Sequence, residues 1–332
     1  MVRDRLGYLL RRPWREVTLP PDAVGIPTML SKTERKLLYG LARDYAADDA
    51  AIVDAGCFLG GSTVALLAGV RDRPETWTGP ALESYDLFAV EAYTIRKFFG
   101  DDPTIRVGDS FRERFDARVA GFGVPHVVHE GDITEIGWSG GAIDVLFLDV
   151  LKTPQINDAV LRDFFPSLVP GRSVVVHQDY GWGYTPWIPI TVELMRDSLT
   201  LIDWMEWGSH VFLLEDEVPV ELIETGVGGL DLDTRFEVID QAIARSEGWV
   251  RGMIEIARTA LVVERDGEEA GLADLASIAD RHERHGLVLS CIADVREGLQ
   301  TGWTFERSAD GPGWKTRLAD ARKRLTAALH RG

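Results

Sequence analysis

The stretch Ile52-Val53-Asp54-Ala55-Gly56-Cys57-Phe58-Leu59-Gly60-Gly61-Ser62-Thr63 decides how this chain is read. Apolar residues run into an acid, a glycine-rich turn follows, and Val64-Ala65-Leu66-Leu67 continue as an apolar run. That pattern predicts a buried strand, a tight turn and the first turns of a helix. Gly56 and Gly60 let the backbone turn sharply and approach a ligand. Ser62 and Thr63 are suited to cap the helix. The spacing is D-x-G-x-x-x-G rather than the G-x-G-x-x-G of dinucleotide sites, which disfavours a nicotinamide-dependent oxidoreductase.

Outward from this turn, strands and helices alternate. Residues 31–47 read as a helix, with Ser31 and Glu34 as a capping box and Leu37, Leu38, Leu41 and Tyr45 on one face. The first strand covers 51–55 and its helix 61–69. A second strand runs from Pro80 or Ala81 to Tyr85 and ends at Asp86. Helical segments near 88–99 and 109–120 follow. Val124–His129 is a third strand, closed by Glu130-Gly131-Asp132, and Ile143–Leu148 is a fourth, closed by Asp149. After a helix near 155–165, broken by Pro170-Gly171, Val174–Val176 is a fifth strand ending in His177-Gln178-Asp179. A helix over 187–199 precedes a hairpin of Leu201–Trp207 and His210–Leu214. The fold class is therefore α/β, a doubly wound seven-stranded sheet, mostly parallel, with a C-terminal antiparallel hairpin. Beyond Val218 the apolar spacing is helical throughout (Phe236, Ile239, Ile243; Met253, Ala257, Leu261; Leu272, Leu275; Ile292, Val295, Leu299). The organisation read is 1–50 as an arm and helix capping the core, 51–218 as the ligand-binding domain, and 219–332 as a helical extension serving as lid or oligomer interface. That extension allows a homodimer.

Composition bounds the partners. With 332 residues and 45% hydrophobic content the chain can bury a sizeable core, and a net charge of −17 disfavours nucleic acid. Two cysteines, Cys57 and Cys291, make a disulfide framework or Cys-rich zinc site a poor reading and suit a reducing, cytoplasmic setting. No segment reaches the ~20 apolar residues of a membrane span. Met1–Val17 is basic and mixed with leucines, without the apolar region and cleavage site of a signal peptide, and reads as an arm packed on the same protein.

On the Asp54–Thr63 turn and the acids that end successive strands, the chain resembles class I S-adenosylmethionine (SAM)-dependent methyltransferases, over roughly residues 50–216. The resemblance implies a Rossmann-like fold. It implies a turn of Asp54, Gly56, Cys57, Gly60, Ser62 and Thr63 on the methionine end and ribose of SAM, with Asp86 on the ribose hydroxyls. It places Gly131, Asp132 and Ile133 at the adenine, and Asp149 at the cofactor's edge. Asp149, Lys152 and Asp179 also match the metal-dependent O-methyltransferases of the catechol and macrocin types. There two acids hold magnesium and the lysine serves as base. Asp149, Gln178 and Asp179 are the metal ligands so implied, hard oxygen donors suited to magnesium. Gln178 departs from that pattern, because the catechol-type enzymes have an acid at its register. Without a metal, His177 is the base.

Tyr180-Gly181-Trp182-Gly183-Tyr184 follows the fifth strand, and its aromatic faces suit sugar rings, so Tyr180, Trp182 and Tyr184 are read as substrate contacts. Trp187 reads equally as core. Asp280, His282, Glu283 and His285 resemble metal ligands but read as a polar helix end. The function expected is SAM-dependent O-methylation of a hydroxyl on a small molecule or glycan, assisted by a divalent metal. The alternatives are a metal-independent N-methyltransferase and a non-catalytic SAM- or nucleotide-binding protein.

Overall fold

The computed structural model describes residues 5–91, 94–100, 102, 104–205 and 208–300, so the expectations for residues 1–4 and 301–332 lie outside the described residues. Seven strands form one sheet in the order β3-β2-β1-β4-β5-β7-β6. They are β1 (Ala51–Ala55), β2 (Leu82–Asp86), β3 (His126–Glu130), β4 (Ile143–Leu148), β5 (Val174–His177), β6 (Leu199–Trp204) and β7 (His210–Leu214). The first five are parallel, and β7 runs antiparallel to both β5 and β6. This is the doubly wound, mostly parallel sheet with a terminal hairpin that the alternation of elements predicts.

The boundaries differ at several places. β2 starts at Leu82, after Pro80, which has no N–H to give a ladder. Among the described residues of the 88–99 segment, Thr94 is helical and Ile95–Phe99 form a wide turn. The helix read over 187–199 stops at Leu194, and Leu199-Thr200-Leu201-Ile202 enter β6, where β7 supplies the ladder.

Helices cover both faces. On one lie α1 (Arg5–Arg11), α3 (Lys32–Gly40) and α4 (Gly61–Arg71), which share an apolar cluster with Ile52, Val145, Phe147, Val174, Val176, Val211 and Leu213. Between α1 and α3 lies the single turn α2 (Pro21–Val24). Alternate residues of the same strands (Val53, Ala55, Leu146, Leu148, Val175, Leu214) face the other cluster, where the helices after β3 pack. They are the single turn α6 (Ile133–Ile136), α7 (Pro154–Asp163), α8 (Trp187–Leu194), α9 (Val220–Thr225), α10 (Leu232–Arg245) and α11 (Gly248–Asp266), and beyond them α12 (Glu268–Arg281) and α13 (Gly286–Gln300) place their buried residues in a further cluster shared with α11. Ahead of β3, α5 (Arg112–Val119) lies with a separate group of phenylalanines beside the first turn, through Phe115. Ile133, Val160, Leu161, Ile188, Leu222, Phe236, Ile239, Ile254 and Leu261 join the sheet in one core.

The basic N-terminal arm is spent on buried acids. Asp203 in β6 receives Arg12, Arg15 and the Trp14 indole N–H. Asp144 in β4 receives Arg5, Arg172 and the Ala47 N–H. Both acids have fully buried side chains, which require such partners. Among the described residues no helix is long and apolar enough to cross a membrane.

Candidate functional site

In an open α/β sheet ligands lie beyond the carboxyl ends of the strands, where the strand order reverses. Here that point falls between β1 and β4, and Gly56 and Asp149 stand on its two sides. The two loops touch. A Cβ on Gly56 would stand 2.7 Å from the Asp149 carbonyl, and the Asp149 N–H donates to Ala55 O at 2.8 Å. Gly56 has φ +92° and Gly60 φ +90°, so both glycines are required by the turn.

Asp54 is fully buried beneath this turn. Its Oδ2 accepts hydrogen bonds from Ser62 Oγ (2.9 Å) and Thr63 Oγ1 (2.6 Å). Those hydroxyls therefore tie strand to helix and do not cap it; the N-cap is Gly60, with no side-chain bond. Asp54 Oδ1 has no partner among the described residues. Burial pushes this carboxyl up to about 7, against the two hydroxyl bonds that favour its ionised form. Cys57 is buried, and burial drives its thiol upward, so it is unreactive.

Asp86 closes the next strand. Its carboxylate accepts the Phe58 N–H and the Phe88 N–H, each at 2.7 Å, so it holds the β1 turn against the β2 end. The Gly131 N–H donates to Asp86 O at 3.0 Å, which brings the Gly131–Ile133 turn beside it. Asp132 caps α6, accepting the Thr134 N–H (2.9 Å) and hydroxyl (2.8 Å) through one oxygen. Ile133 is buried in the core. Asp54, Gly56, Asp86, Gly131 and Asp149 thus line one edge of the sheet.

The second half of the site is charged. Lys152 Nζ donates to Asp149 Oδ1 at 2.7 Å and to Asp179 Oδ2. Burial by itself pulls this ammonium down, but the two carboxylates outweigh it and hold the group above its ordinary value. An ammonium so held donates protons, so the role of base read for Lys152 does not fit this arrangement. His177 is fully buried, edge-on to Phe212, and neither ring nitrogen has a partner among the described residues. Desolvation, then the neighbouring His210, push it down to about 3. It is neutral and a poor base.

Gln178 is turned away from the acids. Side chains alternate along a strand, so Gln178 faces the side opposite His177. Its amide meets Ser209, whose Oγ also lies 2.6 Å from Glu34 Oε1, and Glu34 Oε2 caps α3 by accepting the Ser31 N–H. A serine hydroxyl has one hydrogen, so the consistent assignment has Ser209 donating to Glu34 and the Gln178 NH₂ donating to Ser209. The metal-ligand role read for Gln178 is therefore corrected: its side chain serves the α3 contact. Among the described residues no three His, Cys, Asp or Glu side chains converge as a metal site. Glu255 pairs with Arg251 and Arg281 and lies 3.1 Å from His282 Nε2, so His282 is engaged within the helices.

The aromatic loop is also corrected. Trp182 and Tyr184 are 7% and 1% exposed and lie in a cluster with Met253, Ile256, Leu275, Val288 and Cys291. They are core, not substrate contacts. Gly181 and Gly183 are needed for close packing: a Cβ on Gly183 would stand 2.8 Å from Cys291 Sγ, and one on Gly181 3.0 Å from the Trp249 ring. Tyr180 is half-buried, its ring 4.2 Å from that of His210. Trp204 is 48% exposed and in register with His210, its ring 6.3 Å from that of Trp249.

The fold and site define a doubly wound α/β protein whose sheet carries acids at the carboxyl ends of β1 and β2 and a carboxylate–ammonium–carboxylate array at the ends of β4 and β5. No family model matches the sequence, and no curated protein matches it. Among solved structures, the apo form of CalS11, a TDP-rhamnose 3'-O-methyltransferase in calicheamicin biosynthesis, aligns with 63% of this chain and 92% of its own. The identity is 18% and the TM-score 0.39. A likeness that distant transfers neither substrate nor chemistry.

Proposed function

We propose that the chain is a SAM-dependent O-methyltransferase acting on a hydroxyl of a small molecule or glycan. The observation that carries this reading is the contact of the Asp54–Thr63 turn with Asp149, which places the glycine turn directly beside the Lys152 array. The residues fit SAM. Asp54 Oδ1 is a buried acceptor without a partner, Asp86 stands at the end of β2, and carboxylates suit both a ribose diol and the ligand's cationic centres. Gly131, Asp132 and Ile133 would border the adenine. When bound, SAM supplies a methyl group made electrophilic by its sulfonium.

The chain's own groups then act on the acceptor. Lys152 donates to the acceptor oxygen and stabilises negative charge developing there. Asp179, one strand further from the cofactor turn than Asp149, takes the hydroxyl proton. Asp149 holds Lys152 from the cofactor side. Alignment of the reacting atoms supplies much of the acceleration. Residues 51–218 form the catalytic unit in this reading, and the helices after 218 form its outer wall.

Metal assistance is the second reading, and the pair of carboxylates is what favours it. The side chains do not fit a resident magnesium ion, however: Gln178 is committed to Ser209, and Lys152 stands between the two acids. Calorimetric titration with S-adenosylhomocysteine, in EDTA and in magnesium, tests both. Binding on the order of 10 µM, unchanged by EDTA, is expected. Absence of binding to folded protein in either condition would remove the methyltransferase reading. Binding confined to magnesium would restore the metal.

A further inference from the structure

We infer that Trp182 is a positioning residue for Lys152, and that the C-terminal helices set the charged array by holding Trp182. The meaning of the array for catalysis rests on the methyltransferase reading; the positioning does not.

The Lys152 side chain is fixed from three directions. Asp149 and Asp179 each take one of its N–H groups, and the face of Trp182 lies on a third side, with Nζ 5.3 Å from the ring centroid. A cation over an indole face is attracted by the ring quadrupole, most strongly where water is excluded. The adjoining backbone is fixed by a second tryptophan. Trp187 Nε1, in the first turn of α8, donates to Leu151 O at 2.9 Å. Both tryptophans belong to the segment after β5, so this segment grips the β4 loop at two successive residues.

Trp182 does not owe its place to the sheet. Its ring sits in the cluster built by α11, α12 and α13, through Met253, Ile256, Leu275, Ile278, Val288 and Cys291. Its neighbour Tyr184, 5.1 Å away ring to ring, lies in the same cluster. Gly183 brings the loop backbone so near α11 and α13 that a Cβ would meet Ile256 and Cys291 at 3.0 and 2.8 Å. The helices are therefore the far wall of the socket in which the lysine stands.

The test reads Lys152 directly, in the full chain. Its acylation rate by acetic anhydride is followed by peptide mass spectrometry, with exposed Lys32 as internal reference. Acylation needs a deprotonated, accessible amine, so the clamped ammonium reacts slowly. Trp182→Leu, which keeps apolar volume but removes the ring face, is expected to raise the Lys152 rate at least tenfold with Lys32 unchanged. Trp182→Phe is expected to stay near the wild type. Equal Lys152 rates in wild type and in folded Trp182→Leu overturn the inference. Should Trp182→Leu not fold, Gly183→Ala is read instead. It pushes the loop from α13 and raises the Lys152 rate, and Cys291→Ala added to it restores protection in part. A Lys152 rate unmoved by Gly183→Ala overturns the inference equally. Titration of wild type with S-adenosylhomocysteine separates the two readings, since its failure removes the methyltransferase without touching the acylation result.

Discussion

Gly56 answers to two constraints at once, a φ of +92° and a carbonyl, that of Asp149, standing 2.7 Å from where a Cβ would be. Gly56→Ala is expected to lower stability by about 2–3 kcal/mol through backbone strain and displacement of the β4 end, read as a drop in thermal midpoint. Asp54, two residues earlier, carries a pH dependence. Its carboxyl is pushed up to about 7 in the fold, from the ordinary 3.8. Between those values the folded chain binds more protons than the unfolded one, so this group's contribution falls as pH rises from about 4 to about 7. Asp54→Asn removes that dependence. The stability of the Asn variant relative to wild type should climb across this window and level off above it, measured by urea unfolding at a series of pH values. Asp54, Gly56 and Asp86 were legible as strand-end and turn residues because a strand, a turn and a terminal acid are local patterns. The orientation of Gln178 was not, because its partner Ser209 lies 31 residues later in the chain and Glu34 lies 175 residues before that serine.

At the scale of elements, two segments of the chain act as clasps. The N-terminal arm brings Arg12, Arg15 and Trp14 onto Asp203 of the edge strand β6, and Arg12 also donates to Ile202 O at 2.6 Å. An edge strand has open N–H and C=O groups, and the arm occupies part of that edge. Asp203→Ala is expected to cost about 1–2 kcal/mol, discounted because both guanidinium groups reach solvent. It should also release the arm, seen as faster tryptic cleavage after Arg15 with the rest of the chain intact. The loop after β5 is the second clasp. Its alternating aromatics and glycines read as an adaptable binding loop, and the same composition serves close packing once helices lie against it. Composition alone does not distinguish the two, since small residues permit either motion or contact.

Across the whole molecule, the core is shared between the sheet and the helices that follow it. Val53, Val175 and Leu214 pack in one cluster with Phe236, Ile239, Ile254 and Leu261. A chain ending at residue 218 would keep α7 and α8 on that face but leave the part covered by α10 and α11 in water. It is expected to lose the cooperative thermal transition of the full chain and to bind 8-anilinonaphthalene-1-sulfonate, an apolar-surface dye. Sharp unfolding of the shortened chain would show the sheet to be self-sufficient.

The sequence by itself determined the order of strands and helices, the glycine turn after β1 and the acids that end the strands, because side-chain periodicity, glycine and capping chemistry act over a few neighbouring residues. Only the tertiary structure decided that Lys152 is clamped between Asp149 and Asp179, that Gln178 faces α3, and that Trp182 belongs to the C-terminal helices. Each of those outcomes depends on which distant segment covers a given face of the sheet, and burial, charge pairing and proton affinity follow from that covering.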